Sequence, residues 1–136
     1  MLLALLAAAQ AGTEEEVPVG AALRDAQGRF LAVAGNRPVA AQDPTAHAEI
    51  RVLRQAAQRL GNYRLTASAL SVTLEPCPMC RSAADHARVA RVQCGAFRSQ
   101  SITEQDIGAS LAGGHAFFAP EGAELLRIFF DKRRHV

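Results

Sequence analysis

An α/β architecture is what this sequence predicts, and two observations carry the prediction. The first is a strand, helix, strand order: "ALSVTL" (69–74), a helical stretch over 77–88, then "ARVQCGA" (90–96). Such a crossover unit favours parallel pairing with a right-handed connection. The second is that short apolar or β-branched runs alternate along the chain with stretches of helical period, the pattern of helices packed on a sheet.

Taken in order, Leu2, Leu3, Leu5, Leu6 and the alanines around them predict an apolar helix ending near Gly12, since glycine suits a helix C-terminus. "EVPVGAAL" reads as a strand. Asp25, Gln27 and Gly28 supply turn chemistry before "RFLAVA", so residues 17–35 are expected to form a hairpin. After Asn36, Arg37 and Pro38 the chain reads as irregular up to Asp43, which is expected to cap a helix with Pro44 in its first turn. Ile50, Leu53, Ala57 and Leu60 recur at helical spacing and give that helix one buried face, and Gly61 with Asn62 ends it. Between 98 and 120 the pattern weakens, with a short helix expected in "TEQDIGASLAGG". "EGAELLRIFFDKRR" closes the chain as a helix with Leu125, Leu126, Phe129 and Phe130 on one core-facing stripe.

The totals bound the class. At 136 residues the chain is expected to form one domain around one core, and 49% hydrophobic against 21% charged residues is not the profile of a disordered chain. A formal charge of +2 is too small to mark a nucleic-acid coat or a polybasic membrane binder. The apolar N-terminus lacks a positive flank and is shorter than the ~20 residues of a membrane span, so it reads as a buried helix of the domain. Three cysteines, two of them spaced as Cys77-x-x-Cys80, point to metal or redox work in a reducing, cytoplasmic setting more than to a disulfide scaffold.

The chemistry lies in "DPTAHAEI" and "EPCPMC". His47-x-Glu49 followed by Pro76-Cys77-x-x-Cys80 offers one imidazole and two thiolates. Three protein ligands are the count of a catalytic zinc, which keeps a position for water, whereas a structural zinc is closed by four. His47 and Cys77 both fall near expected helix starts, where unsatisfied N–H groups and the positive dipole end favour a thiolate. Glu49, beside a ligand and with no evident metal role, is placed to shuttle protons as a general acid and base. The order H-x-E…P-C-x-x-C is the signature that accompanies zinc-dependent nucleobase deamination.

Together with that signature, "EVPVGA", "NRP", "LRQ", "NYRL" and "VTLEPCPMC" resemble the bacterial tRNA-specific adenosine deaminases, from about residue 3 to 96 and again in "AELLRIFFDKRR". The resemblance implies a cytidine-deaminase-like three-layer α/β/α fold with a five-stranded mixed sheet, one Zn2+ per subunit, a homodimer, and conversion of the wobble adenosine of a tRNA anticodon loop to inosine. It further implies that His47, Cys77 and Cys80 bind the zinc, that Glu49 is the proton shuttle, that Asn36 hydrogen-bonds the purine, and that the backbone N–H groups of Ala48 and Cys77 line the base pocket.

Plainer readings stand beside these. Cys94 is either a fourth ligand closing a structural site or a small core residue. His86, about 240° round its helix from Cys80, is out of reach of the ion. Asn36 before Arg37-Pro38 also suits a simple turn, and Lys132-Arg133-Arg134 suits a solvated helix end. His115 and His135 carry no readable role. "GAFRSQSITEQDIG" (95–108) departs from the family's pattern, with Arg98 near a position where those proteins carry aspartate. A free base, nucleoside or small heterocycle is therefore the second substrate reading, and a non-catalytic zinc module that binds RNA or a partner is the third. Glu49 argues against the third, because a structural site has no use for it.

Overall fold

The computed structural model describes residues 1–96 and 120–134. Helix α1 (Leu2–Thr13) leads into β1 (Gly20–Arg24), which pairs antiparallel with β2 (Phe30–Gly35). The expected hairpin is present. Asp25 Oδ1 accepts from the N–H groups of Gln27 and Arg29, both at 2.9 Å, and Gly28 sits at φ +81°, a conformation glycine adopts without steric cost.

The strand begins at Gly20 and not at Glu16. Glu16 N–H is drawn back to the Ala11 carbonyl at the end of α1, Pro18 has no N–H to give a ladder, and Val19 N–H turns onto Val17. A second departure is α2 (Pro38–Ala41), one turn of helix where an irregular segment was expected. The third is the start of α3 (Ala48–Leu60), placed four residues later than the Asp43 cap implied. Asp43 Oδ1 instead accepts from the N–H and hydroxyl of Thr45, closing a local turn that holds the helix off until His47. The buried stripe of α3 is Glu49, Val52, Leu53 and Ala56 with Ala48 and Ile50, whereas Leu60 in the last turn is 49% exposed.

β3 (Ala69–Val72) pairs antiparallel with β1 and parallel with β4 (Arg91–Cys94), with α4 (Pro78–His86) as the crossover. The sheet order is β2-β1-β3-β4, mixed as expected. The described residues supply four strands and not five, since β4 ends at Cys94 and residues 97–119, with the helix expected there, Arg98 and His115, lie outside the described residues, as does His135.

Two glycines decide which helix covers which face. A Cβ on Gly20 would lie 2.0 Å from the Ala4 carbonyl oxygen, and one on Gly35 would lie 2.5 Å from that of Ala7, so α1 sits directly on these paired residues through Ala4, Ala8 and Ala11. Side chains alternate along a strand, so Ala21, Leu23 and Ala34 point the other way and form one core cluster with Ala48, Val52, Leu53, Leu70 and Val72. The layers are thus α1, the sheet, and α3 with α4. α5 (Pro120–Arg134) packs along α1. Leu126 reaches the core, but Phe130 is 47% exposed, because one neighbouring helix covers only a narrow stripe. Among the described residues no helix is long and apolar enough to cross a membrane.

Candidate zinc centre and base cleft

His47 is the N-cap of α3 and Cys77 the N-cap of α4, both extended, and Cys80 follows in the first turn of α4. Pro78 at the first helical position presets that turn. The two helix N-termini meet beyond the ends of β1, β2 and β3, and they bring His47, Cys77 and Cys80 together with every ligand atom within 4.8 Å of the others.

The donor geometry can be tested against zinc. With Zn–S about 2.3 Å and Zn–N about 2.0–2.1 Å, a tetrahedral angle separates N from S by about 3.6 Å. Nδ1 of His47 lies 3.7 Å from Cys77 Sγ and 3.5 Å from Cys80 Sγ. These residues are spaced to hold a zinc ion, through Nδ1 of the imidazole. Cys94 is not in the group: it is 7% exposed on β4 and packs in the core cluster, so the closed four-ligand alternative has no fourth thiolate there. His86 is exposed at the far end of α4, as its angular position required.

Burial pushes the Cys80 thiol well above its usual range, with the Glu49 charge and the neighbouring Cys77 adding to the effect. In the metal-free protein this sulfur therefore keeps its proton, and taking up a divalent ion must release it. All three cysteines are free thiols.

Glu49 is 4% exposed in the first turn of α3. It lines a cleft of about 190 Å³ with Val17, Val19, Asn36, His47, Leu74 and Glu75. At about 30 Å³ per water this is room for roughly six waters, enough to admit one heterocycle.

Asn36 is 8% exposed and more than a turn residue. Its N–H donates to the Val19 carbonyl at 2.8 Å, and its Oδ1 accepts from the buried N–H of Ala48 at 2.9 Å. Because the partner is a donor, the amide orientation is set by chemistry: Oδ1 is committed to α3, and Nδ2 is the group left to donate. The Ala48 N–H, expected at the base pocket, is spent on holding Asn36. Arg51, one turn along α3, donates to the carbonyl of Gly35 and fixes the residue before Asn36.

Sequence reasoning missed Glu16, a carboxylate only 1% exposed. The one signal was that Pro38 suits the first position of a helical turn while Arg37 before it has no side-chain acceptor to cap that turn.

Comparison with known proteins agrees with this geometry. The profile described as the cytidine and deoxycytidylate deaminase zinc-binding region matches residues 1–96. A tRNA-specific adenosine deaminase of Agrobacterium fabrum is 41% identical, over 98% of this chain and 93% of that one. Among solved structures, a tRNA:A34 deaminase studied for A-to-I editing at the wobble position of transfer RNA shares 49% identity, with a TM-score of 0.70, covering 71% of this chain and 74% of that one. The guanine deaminase of Bacillus subtilis shares 33% identity, with a TM-score of 0.66, covering 82% of this chain and 66% of that one.

Proposed function

We propose that this chain, which belongs to the cytidine and deoxycytidylate deaminase family, converts adenosine to inosine at the wobble position of a tRNA anticodon loop. It is a zinc-dependent deaminase, with His47, Cys77 and Cys80 placed to hold the ion. The observation that carries the reading is the convergence of those three donors beside a buried glutamate, with His47 and Glu49 lining a cleft that admits one base.

When bound, zinc supplies Lewis acidity that makes water nucleophilic near neutral pH. This chain's residues do the rest. Glu49 takes a proton from the attacking water and passes it to the ring nitrogen beside C6, then delivers the second proton to the departing amine. The C6–O bond forms, the C6–N bond breaks, and one water is exchanged for one ammonia. Asn36 donates through Nδ2 to an acceptor on the purine, and the Cys77 N–H serves in this reading as a further backbone contact to the base. Reaching such a cleft requires the base to leave its stack, which is cheap for a loop nucleotide. The substrates of the Agrobacterium relative and of the tRNA:A34 deaminase support the tRNA assignment. A homodimer acting in the cytoplasm belongs to the same reading, in keeping with three reduced thiols.

Incubating zinc-loaded protein with anticodon stem-loops and sequencing for inosine tests it. No product at any loop adenosine sinks the tRNA assignment. The likeness to a guanine deaminase and the single-base cleft favour a second reading, deamination of a free base, which ammonia release from a panel of purines and pyrimidines decides.

A further inference from the structure

We infer that Glu16 is a positioning residue for the reaction: its carboxylate caps α2 from outside and so fixes the loop whose two flanks are Asn36 and His47. This rests on the deaminase reading given above. α2 begins with Arg37 as N-cap, which makes no side-chain cap, and with Pro38, which has no N–H. The orphan donors of its first turn are therefore Val39 and Ala40. Both are met by Glu16, with Oε1 accepting from Ala40 N–H at 2.8 Å and Oε2 from Val39 N–H at 3.3 Å, more than twenty residues away in sequence. Glu16 is 1% exposed, so the cost of burying its charge is offset there by two N–H donors and the positive end of that turn.

The capped turn belongs to a closed loop. Arg37 N–H donates to the Ala46 carbonyl, Asp43 N–H to that of Pro38 and Ala46 N–H to that of Asp43, so residues 37–46 are cross-braced by their own backbone bonds. Its ends are Asn36, locked to Ala48 N–H, and His47, whose Nδ1 faces both sulfurs. Glu16 ties that loop to the α1–β1 connection, beside the Asn36 N–H bond to the Val19 carbonyl, and Val17 and Val19 of that connection line the cleft.

The test is Glu16→Ala, with Glu16→Gln as the milder partner, in the zinc-loaded full chain, read by amide exchange, zinc content and turnover. Ala48 is the first residue of α3, so its buried N–H has no intrahelical partner and its hydrogen bond is to Asn36 Oδ1. Exchange should accelerate about tenfold or more not only at Val39 and Ala40 but also at Ala48, with zinc retained and kcat/KM down at least about tenfold, as a displaced contact group predicts. Gln, keeping one acceptor oxygen, should lie between alanine and wild type, and it is the deciding variant if alanine does not fold. Rapid exchange at Val39 and Ala40 with Ala48 still protected and turnover within about twofold would overturn the proposal, leaving Glu16 a local cap. The exchange readout needs no substrate, so it stands apart from failure of the tRNA assignment.

Discussion

Replacing Asn36 by alanine and, separately, by aspartate divides two jobs that one side chain performs. Alanine removes both. The Ala48 N–H, in a residue with no solvent exposure, loses the Oδ1 that meets it at 2.9 Å. Leaving such a buried donor unpaired costs about 1–3 kcal/mol. For a chain of this length that is roughly 4 °C of Tm per kcal/mol, a fall of about 4–12 °C. Aspartate keeps the acceptor. It also puts a negative charge at the start of α3, worth about 0.3–1 kcal/mol, against repulsion from Glu49 in the same cleft, so net stability should stay within about 1 kcal/mol of wild type. Turnover should respond differently. Both substitutions lose the Nδ2 donor, and one hydrogen bond to substrate at about 1.5–3 kcal/mol is roughly 10- to 100-fold in kcat/KM. Urea unfolding of the zinc-loaded variants gives the first quantity, and steady-state inosine formation on a stem-loop gives the second. If aspartate destabilises as much as alanine, the Oδ1 to Ala48 bond is not what holds the residue; if aspartate turns over like wild type, Nδ2 does not touch the base.

Glu49→Gln should lower kcat by about 10²- to 10⁴-fold, the usual worth of a positioned proton carrier, with zinc content by atomic absorption unchanged; surviving activity would reject the shuttle. The raised Cys80 thiol leaves the metal-free protein fully stable below the unfolded thiol value of about 8.5 and removes stability as pH climbs past it, because the unfolded chain then sheds a proton that the fold retains. Zinc loading should abolish that alkaline loss and release protons on binding, measurable by calorimetry in buffers of different ionisation heat. Gly20→Ala would drive a Cβ to 2.0 Å from the Ala4 oxygen and 2.5 Å from the Ala8 nitrogen, both backbone atoms. α1 must then shift, and a loss of about 3 kcal/mol or more is expected in chemical denaturation; a neutral result would mean that α1 does not seat on β1 as described.

The sequence by itself determined much of what depends on neighbours along the chain, although the local Asp43–Thr45 turn that delays α3 reads there as a helix cap. The H-x-E and P-C-x-x-C spacings put the ligands and a carboxylate near two helix starts, turn residues gave the hairpin, and the pattern of apolar residues gave α1, α3 and the β3-α4-β4 crossover. These are local because a helix start or a strand face is set by residues within a few positions of one another. Only the tertiary structure decided what rests on distant partners. Leu60 looked buried until the structure showed it 49% exposed in the last turn of α3. That Nδ1 faces the sulfurs, that Cys94 belongs to the core, that the Asn36 amide is oriented by Ala48, and that Glu16 caps a helix with no cap of its own all require elements far apart in sequence to meet. Such contacts leave no periodic trace, because a buried hydrogen bond needs only two complementary groups at one point in space, and nothing between them in the chain has to change.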